Sequence, residues 1–192
     1  MKKIIILSMI FSLMMIFCFV LPVNAQQNTA SAAVILNHYS TRNFAEGAIP
    51  RADLDSIIQA GIRAPSAGNR QPWHFTVVQN PDLARQLVPN NVNGNVLIVV
   101  SAPGDGKTNN VQILDCALAV QSIYLQAQVL GYGSRIYTGP IDGLNNNHKA
   151  ALGLPSGHSA VALVRVGRLP GPVDAVSAAS ARKTANEIVT YK

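Results

Sequence analysis

The sequence predicts a single α+β domain, in which helices are layered on a central sheet. Stretches whose apolar residues recur at helical spacing alternate along the chain with short apolar runs that are typical of strands. Of the 192 residues, 48% are hydrophobic and 12% are charged, which suits one domain with a substantial core and excludes a disordered chain. The sequence has no internal repeat, and it contains neither a Rossmann nor a P-loop glycine motif.

The N-terminal 25 residues are typical of a signal peptide for export. Two lysines precede an apolar run of 18 residues, 4–21, and Val23 and Ala25 then fit the small-residue pattern of a cleavage site. Cleavage would leave a flexible lead-in over residues 26–33 and a single domain over residues 34–192. We therefore expect a periplasmic or secreted protein that has no membrane contact after cleavage. The alternative is an uncleaved membrane anchor, because the run is just long enough to span a bilayer.

Composition argues against several other classes of protein. The 15 Lys and Arg residues outnumber the 9 Asp and Glu residues, for a formal net charge of +6. This excess is mild and includes no dense basic run, so nucleic-acid binding is not predicted. The cysteines are Cys18 and Cys116, and cleavage would leave only Cys116, so we expect no internal disulfide. The four histidines are scattered, and we predict no metal site.

The first regular element of the predicted domain is an amphipathic helix between Pro50 and Pro65. Pro50 suits the first turn of a helix, whereas Pro65 and the nearby Gly68 end it. The apolar residues recur at the spacing of one helical stripe, which predicts a single face packed on a core. They are Leu54, Ile57, Ile58, Gly61 and Ile62.

The following segments continue the alternation of strands and helices. Residues 96–101 include an unbroken apolar run that is typical of a buried strand, and residues 160–167 predict a central strand. We also predict a strand over residues 73–78 and short helices over residues 81–87 and 145–152.

The longest predicted element is a helix over residues 111–130, which Gly131 ends. Its apolar residues lie nearly all the way round. We therefore expect this helix to be buried on several sides, in the centre of the domain or in a subunit interface. Near the C-terminus, residues 188–191 have strand character.

Residues 64–73 are the most informative stretch for function. They combine a helix end, a loop constrained by two prolines and a glycine, and the start of a strand. Asn69 and Gln71 each offer hydrogen-bond donors and acceptors, which suits a planar heterocycle whose edge alternates between the two. An ordinary connection between a helix and a strand is the alternative.

Two basic segments are candidates for binding a phosphate group. Arg42 follows two hydroxyl residues, and a guanidinium binds phosphate oxygens in pairs. Arg182 and Lys183 form a second basic pair near the C-terminus. Taken alone, each segment is more typical of a helix cap or a solvated surface.

Together these segments resemble the FMN-dependent nitroreductase family. The resemblance begins with Ser-Thr-Arg-Asn-Phe at 40–44, and it is most specific in Ala-Pro-Ser-Ala-Gly-Asn-Arg-Gln-Pro-Trp-His-Phe at 64–75. Residues 115–134 are similar to the long central helix of the family and the glycine-rich segment after it. Residues 152–167 are similar to its last core strand. The resemblance covers about residues 34–191.

The resemblance implies a three-layer fold, with a mixed or antiparallel central sheet flanked by helices, in an intertwined homodimer with FMN at the subunit interface. It assigns Arg42 and Arg182 to the FMN phosphate and Asn69 to the isoalloxazine ring. Backbone groups of Thr138 and Gly139 would lie near the reactive edge of the flavin. The implied FMN-binding residues are His38, Ser40, Arg42, Pro65, Ser66, Asn69, Gln71, Thr138, Gly139 and Arg182.

The implied function is that of an oxidoreductase without catalytic side chains, since the flavin carries the electrons. NAD(P)H or another donor would reduce the flavin by hydride transfer to N5. A nitroaromatic, a quinone or a similar planar acceptor would then take up the electrons in ping-pong turnover. Some relatives catalyse oxidations instead, and product analysis would separate the two directions.

Two features favour a second hypothesis, an exported flavin- or ligand-binding protein without turnover. NAD(P)H is a cytoplasmic donor, which an exported protein does not readily meet. In addition, His38 stands where the family usually begins its first motif with Arg, and a neutral imidazole supplies no permanent charge. The presence of Arg42, Asn69, Gln71 and Arg182 favours the enzyme.

Overall fold

The computed structural model describes residues 32–192, so the predicted signal peptide and most of the lead-in lie outside the described residues. Residues 32–37 are helical, and the helices that follow are α1 (Arg51–Ile62), α2 (Pro81–Leu87), α3 (Asn110–Val129), α4 (Ile141–Asn147), α5 (Ala175–Ala178) and α6 (Ala185–Ile188). The strands are β1 (His74–Val78), β2 (Val96–Pro103), β3 (Gly133–Tyr137) and β4 (His158–Gly167). Within residues 32–192, no helix combines the length and the apolar character that crossing a bilayer requires.

The four strands form one antiparallel sheet in the order β1-β2-β4-β3. His74 of β1 lies opposite Ser101 of β2, and Val96 of β2 lies opposite Val166 of β4. β3 pairs with the other side of β4, where Ser134 also lies opposite Val166. β2 and β4 are therefore the central strands, as their apolar sequences predict, and β1 and β3 form the two edges.

The central strands bury residues on both faces of the sheet, which is why their sequences are almost purely apolar. Val96, Ile98 and Val100 of β2 pack with α1 and α3 in one core cluster. Leu97 and Val99 pack on the opposite face with α2 and α4. The result is three layers, with helices on both sides of the sheet. This confirms the fold class predicted from the sequence.

Helices α1 and α3 pack closely because of one glycine. A Cβ atom at Gly61 would lie 2.8 Å from two side-chain carbons of Ile123 and 3.1 Å from the ring of Phe75. A larger residue at this position would push α3 away from α1. Leu54 and Ile57 complete the buried face of α1, as the periodicity predicts.

Helix α3 is buried along one face only. Cys116 and Val120 lie in the core, whereas the exposed fractions of Val111, Leu114 and Leu118 are 48%, 62% and 38%. The centre of the domain therefore does not bury α3 on several sides, and burial of its outer face in a subunit interface stays a prediction. The outer face of α3 stays open because residues 32–192 supply no layer that covers it.

Three sequence predictions differ from the structure. The short helix expected over residues 145–152 begins earlier, directly after Pro140. β3 was not predicted, because it begins with Gly133 and only Ile136 and Tyr137 favour a strand, whereas pairing with β4 extends the strand over all five residues. Residues 188–191 do not form a strand in this chain: Ile188 ends α6, and the residues after it pair with no described strand.

Candidate functional site

The segment that contains Ser40 and Arg42 lies against the end of α3 and the start of β3. Gln128 binds both backbone groups of Tyr39: its Oε1 accepts from the N–H at 3.3 Å, and its Nε2 donates to the carbonyl at 2.9 Å. The Thr41 N–H then donates to the Ser134 carbonyl at 3.0 Å, and the Ser134 N–H donates to Thr41 Oγ1 at 3.1 Å. These bonds hold the segment at three backbone groups and one side chain.

Side chains along this segment are alternately buried and exposed. Tyr39 and Thr41 are buried, whereas Ser40 and Arg42 are exposed. A Cβ atom at Gly133 would lie 2.7 Å from Thr41 Cγ2, so the glycine allows the segment to approach β3. The fold thus fixes the backbone and presents a hydroxyl and a guanidinium to solvent.

A cavity of about 250 Å³ lies between this segment and the C-terminal tail. Ser40 and Arg42 line one side of it, and Ala178 belongs to the tail on the other side. Tyr39 also lines the cavity, and its buried hydroxyl oxygen has no hydrogen-bond partner among residues 32–192. The hydroxyl groups of Tyr39 and Ser40 and the guanidinium of Arg42 donate hydrogen bonds to oxygen atoms, so the cavity suits a phosphate-like group.

His38, the first residue of the expected phosphate motif, is bound within the chain. Its Nδ1 lies 3.0 Å from the Ile35 carbonyl, which only accepts, so Nδ1 carries the proton. The ring packs edge-on against Tyr124, with 5.6 Å between the two centroids. Of the two ring nitrogens of His38, only Nε2 therefore remains to contact a ligand.

The C-terminal tail brings Arg182 to the same region. Burial raises the pKa of the Tyr124 hydroxyl, and the positive charge of Arg182 acts in the opposite direction. Tyr124 is also the residue against which His38 packs. Arg182 itself is exposed. Basic and polar residues from opposite ends of the domain thus meet beside the second half of α3.

Residues 66–71 form a strained loop near the beginning of α3. Gly68, Asn69 and Gln71 adopt positive φ angles of 59°, 54° and 48°. Glycine takes this conformation freely, whereas a residue with a side chain loses about 1 kcal/mol or more there. Such strain persists only where the surroundings impose it, and it is concentrated at functional sites.

Hydrogen bonds inside the loop fix the orientation of both amide side chains. Ser66 Oγ accepts from the Gln71 N–H at 3.0 Å. Gln71 Nε2 lies 3.4 Å from the Asn69 carbonyl and 3.1 Å from Asn69 Oδ1, and it donates to both. The Asn69 NH₂ group has no acceptor among the described residues, so it is available to a ligand. Pro65, directly before the loop, is exposed as well.

One buried carboxylate ties this loop to α3. Asp115 Oδ1 accepts from the Ala67 N–H at 2.9 Å, and only 3% of Asp115 is exposed. Burial, together with the Asp115 charge, raises the pKa of the adjacent Cys116 thiol to about 11. The sequence analysis did not single out Asp115. The signal that could have found it is an acidic residue on the apolar, buried face of a helix.

Thr138 and Gly139 do not line the cavity beside Arg42. They lie between β3 and α4, and Gly139 lines a cavity of about 420 Å³ together with Leu87 of α2 and Gly143 of α4. Within one chain, the expected FMN-binding residues therefore occupy three places. These are the region of the cavity beside Arg42, whose lining includes neither His38 nor Arg182, the strained loop, and the turn after β3.

Comparison with known proteins decides the family. The sequence model of the Nitroreductase family matches residues 35–95 and 93–168, which is most of the chain. The chain belongs to the nitroreductase family. This confirms the resemblance that residues 40–44 and 64–75 carry.

Two archaeal proteins with the provisional name NADH dehydrogenase/NAD(P)H nitroreductase are similar to this nitroreductase-family chain. The one from Archaeoglobus fulgidus is 34% identical over 114 residues, which cover 53% of this chain and 63% of the relative. The one from Methanothermobacter thermautotrophicus is 30% identical over 107 residues, which cover 52% of this chain and 56% of the relative. The chain thus spans about three fifths of the length of these relatives.

Solved structures of nitroreductases share the fold. A nitroreductase with bound FMN from Desulfitobacterium hafniense has a TM-score of 0.69 at 23% identity, covering 85% of this chain and 98% of that chain. Nitroreductase A from Vibrio parahaemolyticus has a TM-score of 0.71 at 20% identity, covering 84% of this chain and 75% of that chain.

Proposed function

We propose that this protein is an FMN-dependent oxidoreductase. The observation that carries the proposal is the cavity beside Arg42, which a firmly held segment and the C-terminal tail line together. Bonds from a guanidinium to phosphate are charge-assisted and among the strongest that a side chain makes. The FMN phosphate is the group that this set of donors suits, and the excess of Lys and Arg over Asp and Glu favours an anionic ligand.

In this proposal the chain binds and orients the cofactor at two points. Arg42 and Ser40 bind the phosphate, and Arg182 reaches it from the tail. The NH₂ group of Asn69 donates to the isoalloxazine ring, and Gln71 keeps that group correctly turned. FMN, when bound, supplies the redox chemistry by accepting a hydride at N5 and passing it on.

We propose that two copies of the chain complete each site. The loop is tied to Asp115, whereas the phosphate side lies beside Tyr124, nine residues later on α3 (124 − 115). Nine residues of helix span about 14 Å, so one chain holds the two halves well apart. A homodimer that sets the loop of one subunit against the cavity of its partner would bring the halves together.

Two open surfaces support an intertwined homodimer. Val111, Leu114 and Leu118 recur at i, i+3 and i+7, so the outer face of α3 carries an exposed apolar stripe. Strand β3 forms an edge of the sheet that Thr41 covers at Ser134, whereas residues 135–137 pair with no described strand besides β4. The residues after Ile188 are exposed, and Val189 is extended. Such a tail can add to the β3 edge of a partner by strand pairing.

The proposed electron donor is NAD(P)H, and the proposed acceptors are nitroaromatics, quinones and similar planar molecules. The names of the archaeal relatives point to the same donor. A second candidate is an FMN-binding protein without turnover. His38 favours it, because it stands where the family usually has Arg and its Nδ1 is bound to the Ile35 carbonyl.

The visible spectrum of the purified full chain, after incubation with FMN and gel filtration, tests the enzyme proposal. We expect a yellow dimer that NADH or NADPH bleaches without oxygen and that a quinone turns yellow again. A yellow protein that neither donor bleaches would support the second candidate. An unsubstituted chain that stays colourless would overturn both candidates. If the unsubstituted chain is yellow, Arg42→Gln should lose the colour and the distant control Arg51→Gln should keep it.

We also propose that the protein is exported, since the first 25 residues have the pattern of a cleaved signal. The mass of the protein recovered from cells tests this proposal. Cleavage leaves Gln26 as the first residue, whereas an intact N-terminus in the membrane fraction would indicate the anchored form.

A further inference from the structure

The strained loop, residues 66–71, is attached to the domain through Ala67. The bonds among Ser66, Asn69 and Gln71 stay within the loop. The hydrogen bond that reaches outside it runs from the Ala67 N–H to Asp115 Oδ1 of α3. Ala67 begins a short 3-10 turn that ends at Asn69, so this bond fixes the turn that carries the ligand-facing amide.

A carboxylate is an unexpected residue at the position of Asp115. The other buried residues of α3 carry no charge; they are Cys116, Ala119, Val120, Ile123, Tyr124 and Ala127. Burying an ionised group costs free energy that an uncharged residue would not cost. A carboxylate, however, accepts a stronger hydrogen bond from a backbone N–H than a neutral group does. At Asp115, a stronger hydrogen bond to the loop is thus gained at a cost in burial free energy.

We propose that Asp115 is a positioning residue for cofactor binding, an inference that rests on the proposed FMN function. Asp115 holds Ala67, and Ala67 keeps Gly68, Asn69 and Gln71 at positive φ. In that conformation the NH₂ group of Asn69 faces the isoalloxazine ring. Without the carboxylate the loop relaxes towards ordinary backbone angles, and the amide turns away from the ring.

Substitution of Asp115 tests the inference in the full-length protein. The Kd for FMN, measured by quenching of flavin fluorescence, should rise about tenfold in Asp115→Ala, which corresponds to the loss of one good hydrogen bond. Asp115→Asn retains an oxygen acceptor, so it should restore most of the affinity. Hydrogen exchange at the Ala67 amide should accelerate in Asp115→Ala before FMN is added, and the visible band of bound FMN should shift.

Ala67→Pro removes the donor instead of the acceptor. Ser66 is extended, with φ −144° and ψ 154°, and Ala67 is the first residue of the turn, so the backbone accepts a proline there. This variant should weaken FMN binding as Asp115→Ala does, and the double variant should be no worse than either single one. It keeps the test decisive if Asp115→Ala fails to fold.

Tyr132→Phe is the matched structural control. It removes another tertiary hydrogen bond, from the Tyr132 hydroxyl to Asp53, which lies away from the loop. It should lower the Tm and leave the Kd for FMN unchanged. If Asp115→Ala or Ala67→Pro does the same, the inference is overturned while the proposed function stands. If the unsubstituted chain binds no FMN, the proposed function fails and the inference with it.

Discussion

The two halves of α3 hold their functional segments in contrasting ways. Near its C-terminal end, Gln128 and the adjacent β3 fix the segment around Arg42 by several backbone hydrogen bonds, without a residue at positive φ. Near its N-terminal end, Asp115 holds a loop in which Asn69 and Gln71 are strained. The first arrangement is stable by itself, whereas the second depends on one buried charge.

This difference follows from what each segment is proposed to bind. A phosphate attracts a guanidinium from several directions, so a firm backbone with an exposed Arg42 is sufficient. An isoalloxazine ring presents a fixed row of donors and acceptors, and a donor must be correctly oriented to meet it. The domain therefore places its backbone strain where orientation matters more than charge.

The largest expected effect is the loss of FMN affinity on removal of the Arg42 charge. Arg42→Ala should raise the Kd for FMN by about 10- to 100-fold, because it removes charge-assisted bonds worth roughly 1.5–3 kcal/mol. Fluorescence titration measures this change. Arg51→Ala, which removes an exposed guanidinium paired with Asp55 on α1, serves as the control and should have no effect. Equal affinities for the two variants would contradict the assignment of Arg42.

The hydrogen bonds that hold the Arg42 segment predict the next effect, a loss of stability. Gln128→Leu should lower the free energy of unfolding by about 1–3 kcal/mol, because the backbone groups of Tyr39 lose their partner. Thermal unfolding should then show a Tm lower by several degrees. Gln126→Leu removes a single bond to Ser56 and should cost less. If both variants unfold at the same temperature, the segment is not held as we describe.

The strain in the loop predicts a smaller effect on the free energy of unfolding, which should rise instead of fall. Gln71→Gly should raise the free energy of unfolding of the FMN-free protein by about 0.5 kcal/mol, because glycine adopts φ 48° without strain. The same change should weaken FMN binding. Urea unfolding with and without FMN separates the two results. Gln86→Gly, in the last turn of α2, should instead destabilise the protein, and a destabilised Gln71→Gly would argue against stored strain.

The smallest expected effect concerns the pH dependence of stability at His158, the first residue of β4. Burial, and then the nearby His74, lower the pKa of His158 below its ordinary value of 6.5. Above pH 6.5 the group is neutral in both states and has no effect on stability. As the pH falls below 6.5, the unfolded chain takes up the proton first, so stability is lost.

A comparison of Tm at pH 7 and pH 5 tests this sign. His158→Gln should reduce the loss of Tm at pH 5, whereas His148→Gln, at the end of α4, should not. A His158→Gln protein that loses as much Tm as the unsubstituted one would contradict the prediction.

Local signals predicted most of the fold. Prolines mark the beginning of α1 and α2, and apolar runs mark β2 and β4, because these features act within a few residues of the chain. β3 escaped prediction since it exists through pairing with β4, which lies far along the sequence. The strand propensity of residues 133–137 contains no information about such a partner strand.

The candidate site shows the same limit. Arg42 and Asn69 were found from the motif resemblance, because each lies in a short, specific stretch. Asp115 and Gln128 were not, because each is a single polar residue in a long apolar helix. Their partners lie 48 and 89 residues away in sequence. Only the folded chain shows that these two side chains hold the functional segments.

The buried thiol on α3 bears on the proposed export of the protein. Cys116 has no exposed surface, and its pKa of about 11 keeps it un-ionised at any physiological pH. Oxidants and foreign disulfides attack the thiolate, so this sulfur is shielded from cross-linking and sulfenic acid formation. A chain that lost Cys18 with its leader would therefore tolerate an oxidising compartment without a disulfide of its own.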